Sequence, residues 1–377
     1  MDNILDILKT TYKIYIFGAA SRAKTIMGYL DLLFPEIEIA GYLVDDEEKN
    51  DSQICGVPVI HLDMASDKEI AGLQTKIPVI IATKGIFHQR IESKLTALGF
   101  TTIIPVSVEV DNCLRNAYVR KVFAGEGRTF LKLEDLMNEE NLKSATNEAD
   151  VCIYMAKSIY DKELETSYTL PDYEKALWVG AALTNERLLD GILTDATGEN
   201  ISAKNRQYCE LTGLYWVWKN RRHDIAGLSH YRRHFVLPKD WIRVMQEQGI
   251  DAIVPVPTYV YPSVGDNYKE RHMPEDWDFL LQYLKEKEAG VYDAAVEVFS
   301  GNLFLPGNMF VARWEVLDEL CSWLFPVLDA IGANGGIKED AYLNRYVAFA
   351  SERLVTLFFH FHRDKYKIVY ADRIFLR

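Results

Sequence analysis

A group of basic side chains is the strongest candidate for chemistry in this sequence. His230, Tyr231, Arg232 and Arg233 directly follow the apolar run 224–229 (DIAGLS), which predicts a buried strand. Ligands of α/β proteins bind at the carboxyl ends of such strands, and arginine makes paired hydrogen bonds to phosphate oxygens. We therefore predict an anion site here, with a surface salt-bridge cluster as the alternative.

The direction of these four side chains depends on whether the strand continues. In a regular strand, His230 and Arg232 point to one face of the sheet, and Tyr231 and Arg233 point to the other. Both pairs then serve the same ligand only if the chain bends at this place.

A polar loop and the helix after it form a second candidate group. Ser202 is a suitable N-cap for a helix that begins at Ala203, and Lys204 and Asn205 lie in its first turn. A cation at this end opposes the helix dipole and, with the free N–H groups, creates a positive site. We predict that this turn and Asn200 bind an anionic substrate; a solvated helix face is the alternative.

Composition limits the class of protein. The chain has 377 residues, 49% of them hydrophobic and 26% charged, which excludes disorder and fibres and favours two domains. Acidic residues outnumber basic ones 55 to 42, and the resulting charge of −13 disfavours a nucleic-acid partner. The five cysteines are dispersed and lack a C-x-x-C pair, so neither a disulfide framework nor a zinc cluster is predicted.

The N-terminus predicts no targeting segment. MDNILDILKT lacks a basic region followed by an apolar core, and no run approaches the ~20 apolar residues of a membrane span. We expect a cytoplasmic protein, with any membrane contact peripheral and at the inner face.

Residues 1–108 alternate between strand and helix patterns, which predicts a Rossmann-like parallel sheet. Gly18 ends the first strand, and Asp45 or Asp46 follows the second, where dinucleotide-binding folds place a ribose-binding carboxylate. Gly18 is the one glycine present of the G-x-G-x-x-G pattern. A cofactor site at Gly18 and Asp45 and a scaffold without ligand are therefore equally open.

The rest of the chain divides into a connector and a second domain. Residues 109–147 are charged and predict a helical linker that ends in a polar stretch. Residues 148–377 begin with another strand pattern, DVCIYMAKS, and predict a second α/β domain.

The first domain resembles the N-terminal domain of bacterial sugar acyltransferases that modify nucleotide-linked sugars. The similar segments are FGAASRA, GYLVDDE, GVPVI and VIIAT, within about residues 10–107. The resemblance implies a domain that binds a nucleotide or a sugar nucleotide. It does not imply acyl transfer, because no β-helix repeat follows.

The second domain resembles a family of glycosyltransferases from bacterial capsular and exopolysaccharide loci, over about residues 150–360. The similar segments are DATGENISAKNRQYCELTGLYWVWKN, DIAGLSHYRRHF, NYKERHMPEDWDFL, NMFVARWEVLDELCSWLFPVL and RYVAFASERL. The resemblance implies a GT-A type of fold and the transfer of a hexose, of galactose type, from a UDP-sugar. The implied acceptor is a lipid-linked or oligosaccharide precursor of a polysaccharide. The chain departs from the family at Ala156-Lys157-Ser158, where the family has Cys-His-Lys.

The resemblance also bears on metal use. Many GT-A enzymes hold a divalent cation with Asp-x-Asp, and His230-Tyr231-Arg232 stands at the equivalent place. The resemblance therefore implies that fixed cations stabilise the leaving diphosphate, and that His230 could be a ligand if a metal binds. The literal Asp-x-Asp, Asp276 and Asp278, begins a helix, where carboxylates two residues apart point ~200° apart and do not converge. We predict no metal site at an Asp-x-Asp motif, and a divalent metal bound elsewhere stays open. The nucleotide-sugar donor is the expected small molecule, and no other cofactor is certain.

Inverting transfer also needs a base near the acceptor hydroxyl. The candidates are Glu210, Asp266, His272, Asp340 and Glu352. The residues predicted to be catalytic are His230, Arg232, His272 and Glu352. The residues predicted to bind substrate are Asn200, Ser202, Lys204, Asn205, Glu210, Tyr231, Arg233 and Asn308.

Two other functions stay open at this point. A nicotinamide-dependent sugar-nucleotide oxidoreductase would use the first domain as its cofactor site, although Tyr173-Glu174-Lys175 does not have the Tyr-x-x-x-Lys spacing. A non-catalytic protein that binds nucleotide-sugars is the third interpretation.

Overall fold

The structure is a computed structural model. It describes residues 4–45, 50–63, 72–137, 149–186 and 192–376. The chain forms two compact units: unit 1 consists of Met1–Thr129 with Tyr259–Tyr261, and unit 2 consists of Phe130–Thr258 with Pro262–Arg377. The boundaries 1–108, 109–147 and 148–377 stay predictions, and residues 138–148 of the predicted linker lie outside the described residues.

A sheet of six described strands forms the centre of unit 1. The elements in chain order are α1 (Ile4–Lys9), β1 (Lys13–Phe17), α2 (Ser21–Leu33), β2 (Glu38–Val44), β3 (Gln53–Ile54), β4 (Val57–His61), β5 (Val79–Ile81), α3 (His88–Ala97), β6 (Ile103–Pro105) and α4 (Val108–Gly125). The strand order is β3-β4-β2-β1-β5-β6. Strands β4, β2, β1, β5 and β6 run parallel, and β3 pairs antiparallel with β4. This is the Rossmann-like order that the strand and helix alternation predicts.

The first part of the predicted linker is a helix of unit 1. Helix α4 begins after Ser107, whose hydroxyl accepts a hydrogen bond from the N–H of Val110 at 3.3 Å. Such an N-cap stabilises the first turn of a helix. Leu114 and Val119 of α4 are buried, so this charged segment packs one face into the unit.

Unit 2 has a larger mixed sheet. The elements in chain order from β7 to β13 are β7 (Val151–Lys157), β8 (Glu174–Trp178), β9 (Leu193–Thr194), α5 (Asn205–Tyr208), α6 (Leu211–Asn220), β10 (Ile225–His230), β11 (Arg233–Phe235), α7 (Trp241–Glu247), β12 (Ala252–Pro255) and β13 (Thr258–Tyr259). Those that follow are α8 (Val264–Arg271), α9 (Pro274–Lys287), α10 (Ala289–Ser300), β14 (Leu303–Phe304), β15 (Phe310–Arg313), α11 (Trp314–Gly335), α12 (Tyr346–Phe361), β16 (Ile368–Ala371) and β17 (Arg373–Phe375).

The strand order in this sheet is β16-β12-β15-β10-β7-β8-β9, and β11 pairs with both β10 and β17. Strand β10 is parallel to β7 and antiparallel to β15. The described residues therefore confirm the predicted α/β class with parallel strands.

Gly227 allows β10 to lie close to its neighbour in the centre of the sheet. A Cβ at this position would lie 2.6 Å from the carbonyl oxygen of Phe310 in β15. Ile225, Ala226 and Leu228 of the same strand are buried. The apolar run thus forms a central strand, and its carboxyl end presents His230 at the edge of the buried sheet.

Candidate functional site

The chain reverses immediately after β10. Strand β10 ends at His230, β11 begins at Arg233, and these two residues pair directly across the antiparallel hairpin. Directly opposed residues of an antiparallel pair lie on the same face of the sheet. The chain therefore bends at this place, which is the condition under which both pairs could serve one ligand, and His230 and Arg233 lie on the same face because the strand does not continue through Tyr231 and Arg232.

A second turn, Pro306–Asn308, lies beside this hairpin. A Cβ on Gly307 would lie 3.6 Å from Nε2 of His230 and 3.9 Å from Nη1 of Arg233. Gly307 has a φ of 83° and Asn308 a φ of 50°, so both residues are in the left-handed region. A non-glycine residue there costs about 1–3 kcal/mol and persists where its surroundings hold it.

Asn308 is held by buried hydrogen bonds. Its Nδ2 donates to Oε1 of Glu210 at 2.8 Å and lies 3.4 Å from the carbonyl oxygen of Ala348. Its Oδ1 accepts from the hydroxyl of Ser351 at 3.0 Å. Because Asn308 is 1% exposed, these bonds are shielded from water. The structure brings Asn308 and Glu210 together, as two members of the predicted substrate-binding group.

His230 contacts both the turn and the carboxylate. Its Nε2 is hydrogen-bonded to the carbonyl oxygen of Gly307 and lies 3.9 Å from Oε1 of Glu210. Burial lowers the pKa of His230; the Glu210 carboxylate opposes this shift, and Arg233 adds to it. The lowered pKa favours the neutral imidazole of His230 at neutral pH.

The two glutamates near His230 have different surroundings. Oε1 of Glu352 accepts from the N–H of Gly307 at 2.6 Å, and its Oε2 forms an ion pair with Arg353 at 2.9 Å. Both oxygens of Glu352 are thus engaged by the protein. Within the described part of the chain, Oε2 of Glu210 makes no hydrogen bond. Of the two, Glu210 has the oxygen that a ligand can use.

Three cations lie near Asp161, which is in the loop after β7. Burial raises the pKa of Asp161, and its bond from the N–H of Ser158, at 2.7 Å, opposes that shift. Lys157, Arg232 and Arg345 also oppose it. Among the described residues, Nε of Arg232 is buried without a hydrogen-bond partner. These positive charges fit an anionic group at the carboxyl ends of β7 and β10.

Tyr231 and Cys209 each contact one of these arginines. The guanidinium of Arg232 lies over the ring of Tyr231, 5.0 Å from its centroid. Nε of Arg345 donates to Sγ of Cys209 at 3.2 Å, and burial raises the pKa of this thiol to about 12. Cys209 has a φ of 48° and separates α5 from α6. The helical spacing of Tyr208, Leu211 and Trp218 in the sequence predicts one continuous helix from Ala203 instead.

The predicted group at residues 200–205 belongs to a different network. Asp195 is fully buried and accepts hydrogen bonds from the N–H of Gly180 at 2.9 Å and of Ala181 at 3.1 Å. It also accepts from the hydroxyls of Ser202 and Thr212. Asp195 thus ties the turn after β8 to the start of α6. This role of Asp195 was not predicted. The sequence signal for it is the aspartate at the start of the small polar loop 195–202.

Ser202 does not cap a helix. It lies inside the turn Ser202–Lys204, and its hydroxyl accepts from the N–H of Ala182 at 3.0 Å. Asn200 accepts from the N–H of Ser202 at 3.2 Å. Asn205 donates to the carbonyl of Cys209 at 2.6 Å. The predicted N-cap is wrong, because the hydroxyl of Ser202 is hydrogen-bonded to Ala182 and Asp195 and not to the first turn of a helix.

Lys204 is paired within the protein. Its Nζ lies 2.8 Å from Oδ1 of Asp329 in α11. The negative charge of Asp329 offsets the positive charge that predicts an anion site at this turn. Of the predicted cations, the structure groups Arg232 and Arg233 with His230 and places Lys204 in this separate ion pair.

His272 lies in an aromatic stack. Its ring is 4.1 Å from that of Phe349, with 19° between the planes, and 5.6 Å from that of Tyr342. Burial and the charge of Arg353 lower the pKa of His272 to about 3. A group with this pKa is a weak base at pH 7, so the geometry favours packing over the predicted catalytic role.

Two of the candidate bases form hydrogen bonds within their own turns. The hydroxyl of Ser263 accepts from the N–H of Asp266 at 3.0 Å and donates to its carboxylate at 2.8 Å. Asp340 accepts from the N–H groups of Tyr342 and Leu343. The Asp266 carboxylate thus holds the hydroxyl that caps α8, and the Asp340 carboxylate stabilises the backbone of its own turn.

The literal Asp-x-Asp pair does not converge. Asp276 is bonded to Lys338 at 2.9 Å, whereas Asp278 lies 3.5 Å from Lys269. Among the described residues, no group of three or more His, Cys, Asp and Glu has a metal-binding arrangement.

In unit 1, the predicted cofactor residues take part in packing and pairing. Gly18 has a φ of 116°, and a Cβ there would lie 3.1 Å from the carbonyl oxygen of Ala82. Asp45 forms an ion pair with Arg90 at 3.0 Å, and Lys94 lies 3.9 Å away. The alternative residue, Asp46, lies outside the described residues. The pairing of Asp45 does not favour a ribose contact.

A buried trio under the hairpin was not predicted. Glu174 of β8 accepts from the hydroxyl of Ser229, and Nδ1 of His234 donates to the same carboxylate at 2.9 Å. The ring of Tyr168 lies 4.1 Å from that of His234. These contacts join β8, β10 and β11 at the place where the basic residues emerge. The sequence signal for this trio is Glu174, a charged residue at the start of a strand that continues with apolar residues.

Comparisons with known proteins give a family for the chain. The family described as a domain of unknown function (DUF4422) matches residues 166–364, more than half of the 377 residues. The chain belongs to this family. The DUF4422 region includes β10, the hairpin, the Pro306–Asn308 turn and α12.

One solved structure is similar to this DUF4422 protein. It is the apo structure of WbbM, a bifunctional glycosyltransferase, with 25% sequence identity and a TM-score of 0.52. The similarity covers 60% of this chain and 45% of WbbM, so the chain spans less than half of that protein's length. Among curated proteins, none matches. In the described residues, no helix has the length and apolar character needed to cross a membrane.

Proposed function

We propose that this protein is a glycosyltransferase that moves a hexose, of galactose type, from a UDP-sugar to a polysaccharide precursor. The observation that carries the proposal is the group of His230, Arg233 and Glu210 at the carboxyl end of the central strand. It lies in a chain whose fold is similar to that of a glycosyltransferase, WbbM. The proposed acceptor is a lipid-linked or oligosaccharide intermediate of capsule or exopolysaccharide synthesis.

The cations of the hairpin suit the leaving group. As the sugar–phosphate bond breaks, negative charge develops on the diphosphate, and fixed cations stabilise it without reorganising. Arg232 and Arg233 are the residues proposed for this role, with Lys157 and Arg345 near the same region. Tyr231, whose ring lies beside Arg232, is proposed to flank the nucleotide.

Glu210 is the carboxylate that best suits the role of base. Its Oε1 is fixed by Asn308 at 2.8 Å, which orients the group, and its other oxygen is available to an acceptor hydroxyl. A carboxylate in this position accepts the proton of the hydroxyl as it attacks the sugar. Glu352 is proposed to act indirectly, because its bond to the N–H of Gly307 holds the turn beside His230.

A donor screen with the purified full chain tests the proposal. Thermal stability is measured with UDP, UDP-galactose, UDP-glucose, NAD and NADP, and UDP release is measured with and without acceptor extracts. We expect stabilisation by UDP and a UDP-hexose, together with acceptor-dependent UDP release. Stabilisation by NAD or NADP alone would instead support the oxidoreductase. Binding of a UDP-sugar without hydrolysis or transfer would support a non-catalytic binding protein.

A further inference from the structure

The bond between His230 and Gly307 determines which ring nitrogen carries the proton. A carbonyl oxygen has no hydrogen to donate, so Nε2 of His230 must donate to it. Burial and Arg233 lower the pKa of His230, which keeps the ring neutral. A neutral imidazole with its proton on Nε2 has a lone pair on Nδ1, and Nδ1 is then a hydrogen-bond acceptor.

An acceptor nitrogen distinguishes between the parts of a nucleotide-sugar. Phosphate oxygens at neutral pH accept hydrogen bonds and fit donors such as Arg232 and Arg233. A hydroxyl group of a sugar can donate, so it fits an unprotonated nitrogen. The tautomer of His230 therefore matches a hydroxyl and does not match the diphosphate.

Asn308 controls the position of the Gly307 carbonyl. Gly307 and Asn308 are both left-handed, and the carbonyl of Gly307 contacts Nε2 of His230. This conformation costs a non-glycine residue free energy, although asparagine adopts it more readily than most residues. The side chain of Asn308 offsets this with a donor to Glu210 and an acceptor from Ser351. An amide is needed, because aspartate offers no donor to the Glu210 carboxylate and adds a second negative charge.

We propose that Asn308 is a positioning residue that holds His230 in the Nε2–H tautomer, so that His230 binds a sugar hydroxyl and the arginines bind the diphosphate. The hydroxyl-binding part rests on the proposed function. The tautomer part rests on the contacts of His230, Gly307 and Asn308 and on the lowered pKa of His230, not on the proposed function. The charged groups that face the ring are Glu210, Arg233 and Glu352.

Nitrogen NMR of histidine-labelled full-length protein tests the tautomer without any substrate. A His230→Gln variant assigns the signals. We expect wild-type His230 to be in the Nε2–H form at neutral pH, and Asn308→Gly to show a mixture of tautomers. Glycine is the informative replacement because it accepts a φ of 50° without strain, and Asn308→Asp provides a second, nearly isosteric variant. A wild-type Nδ1–H form, or an unchanged single form in both variants, would overturn the inference.

Binding measurements test the hydroxyl. In Asn308→Gly, we expect UDP-hexose affinity to fall about tenfold, as for the loss of one hydrogen bond, with UDP affinity within about twofold of wild type. Ser351→Ala, which removes one partner of Asn308, is the matched control and should have a smaller effect. Equal losses for UDP and UDP-hexose would refute hydroxyl recognition. If wild-type protein binds neither UDP nor UDP-hexose, the proposed function fails while the NMR result still decides the tautomer.

Discussion

His230 and Arg233 face each other across the hairpin at the end of β10, and the carbonyl of Gly307 contacts the imidazole from a separate turn. The hairpin places a neutral ring beside a permanent cation. One side chain suits a hydroxyl group and the other suits a phosphate. The two opposed residues therefore suit different parts of a nucleotide-sugar.

Removing one arginine of the hairpin should weaken nucleotide binding without unfolding the protein. Arg232→Ala and Arg233→Ala each lose a charge-assisted contact to the diphosphate, which is worth about 1.5–3 kcal/mol. We expect UDP affinity to fall at least tenfold in calorimetry, with a nearly unchanged melting temperature. Arg222→Ala, an exposed arginine before the other end of the same strand, is the control. Unaltered UDP affinity in both hairpin variants would refute the assignment.

Part of this site could be predicted from the sequence. The apolar run before His230 indicates a buried strand, and the rule for strand ends places the basic residues at a ligand site. The hairpin was not predicted, because nothing in HYRR resembles the usual glycine-containing turns of hairpins. Consequently, the sequence left open whether the chain bends after His230, and with it the face on which Arg233 lies.

The remaining contacts are non-local and have no local signal. Glu210 and Asn308 are 98 residues apart, and His230 and Gly307 are 77 apart, so their proximity depends on the complete sheet. The same reason explains Lys204, whose helix-start pattern predicts an anion site. Its partner, Asp329, is 125 residues away and provides the anion from within the protein.

Glu210→Gln should slow catalysis and leave nucleotide binding intact. The amide retains an oxygen for the Nδ2 donor of Asn308, but it cannot take a proton from an acceptor hydroxyl. We expect kcat to fall by about 10²–10⁴, measured as sugar transfer, with UDP affinity close to that of wild type. A kcat within threefold of wild type would exclude Glu210 as the base.

Glu352→Gln is the comparison for that variant, because it should affect stability first. The side chain of Arg353 is 4% exposed and would lose its charged partner. Because the side chain of Glu352 is 20% exposed, the cost is below that of breaking a fully buried pair, and we expect about 1–3 kcal/mol. We expect a clear drop in melting temperature for Glu352→Gln and little change for Glu210→Gln. A larger drop in melting temperature for Glu210→Gln than for Glu352→Gln would assign the structural role to Glu210 and the role of base to Glu352.

Turnover should survive removal of divalent cations. In the proposed reaction, arginine guanidinium groups supply the positive charge at the diphosphate, and the Asp276 and Asp278 carboxylates are paired with different lysines. We expect UDP release after dialysis against EDTA to stay within about twofold of the untreated rate. Complete loss with EDTA, restored by manganese, would show that a metal ion supplies this charge.

The stability of the protein should fall in acid partly because of His272. Its pKa lies near 3, below its ordinary value of 6.5, so its contribution is fully present above pH 6.5 and is lost as the pH falls toward 3. In that interval the free energy of unfolding should drop by up to about 1.4 kcal/mol per pH unit. His272→Phe keeps the stack on Phe349 and removes the titration. Urea unfolding at about pH 8 and pH 4.5 should show a smaller loss for the variant; an equal loss would mean that His272 is not the group that titrates.

Gly227→Ala should destabilise the sheet that positions the site. The added methyl group would lie 2.6 Å from the carbonyl oxygen of Phe310 and 3.0 Å from Cγ2 of Val311, so β10 and β15 must separate. Overpacking of this kind costs about 1–3 kcal/mol, and a clash with backbone belongs at the upper end. Gly290→Ala in α10 is the matched control, since a Cβ at that position would have nothing within 4 Å and alanine favours helix. Urea midpoints should fall for Gly227→Ala and stay equal or rise for Gly290→Ala; a Gly227→Ala protein as stable as wild type would contradict the close packing of β10 against β15.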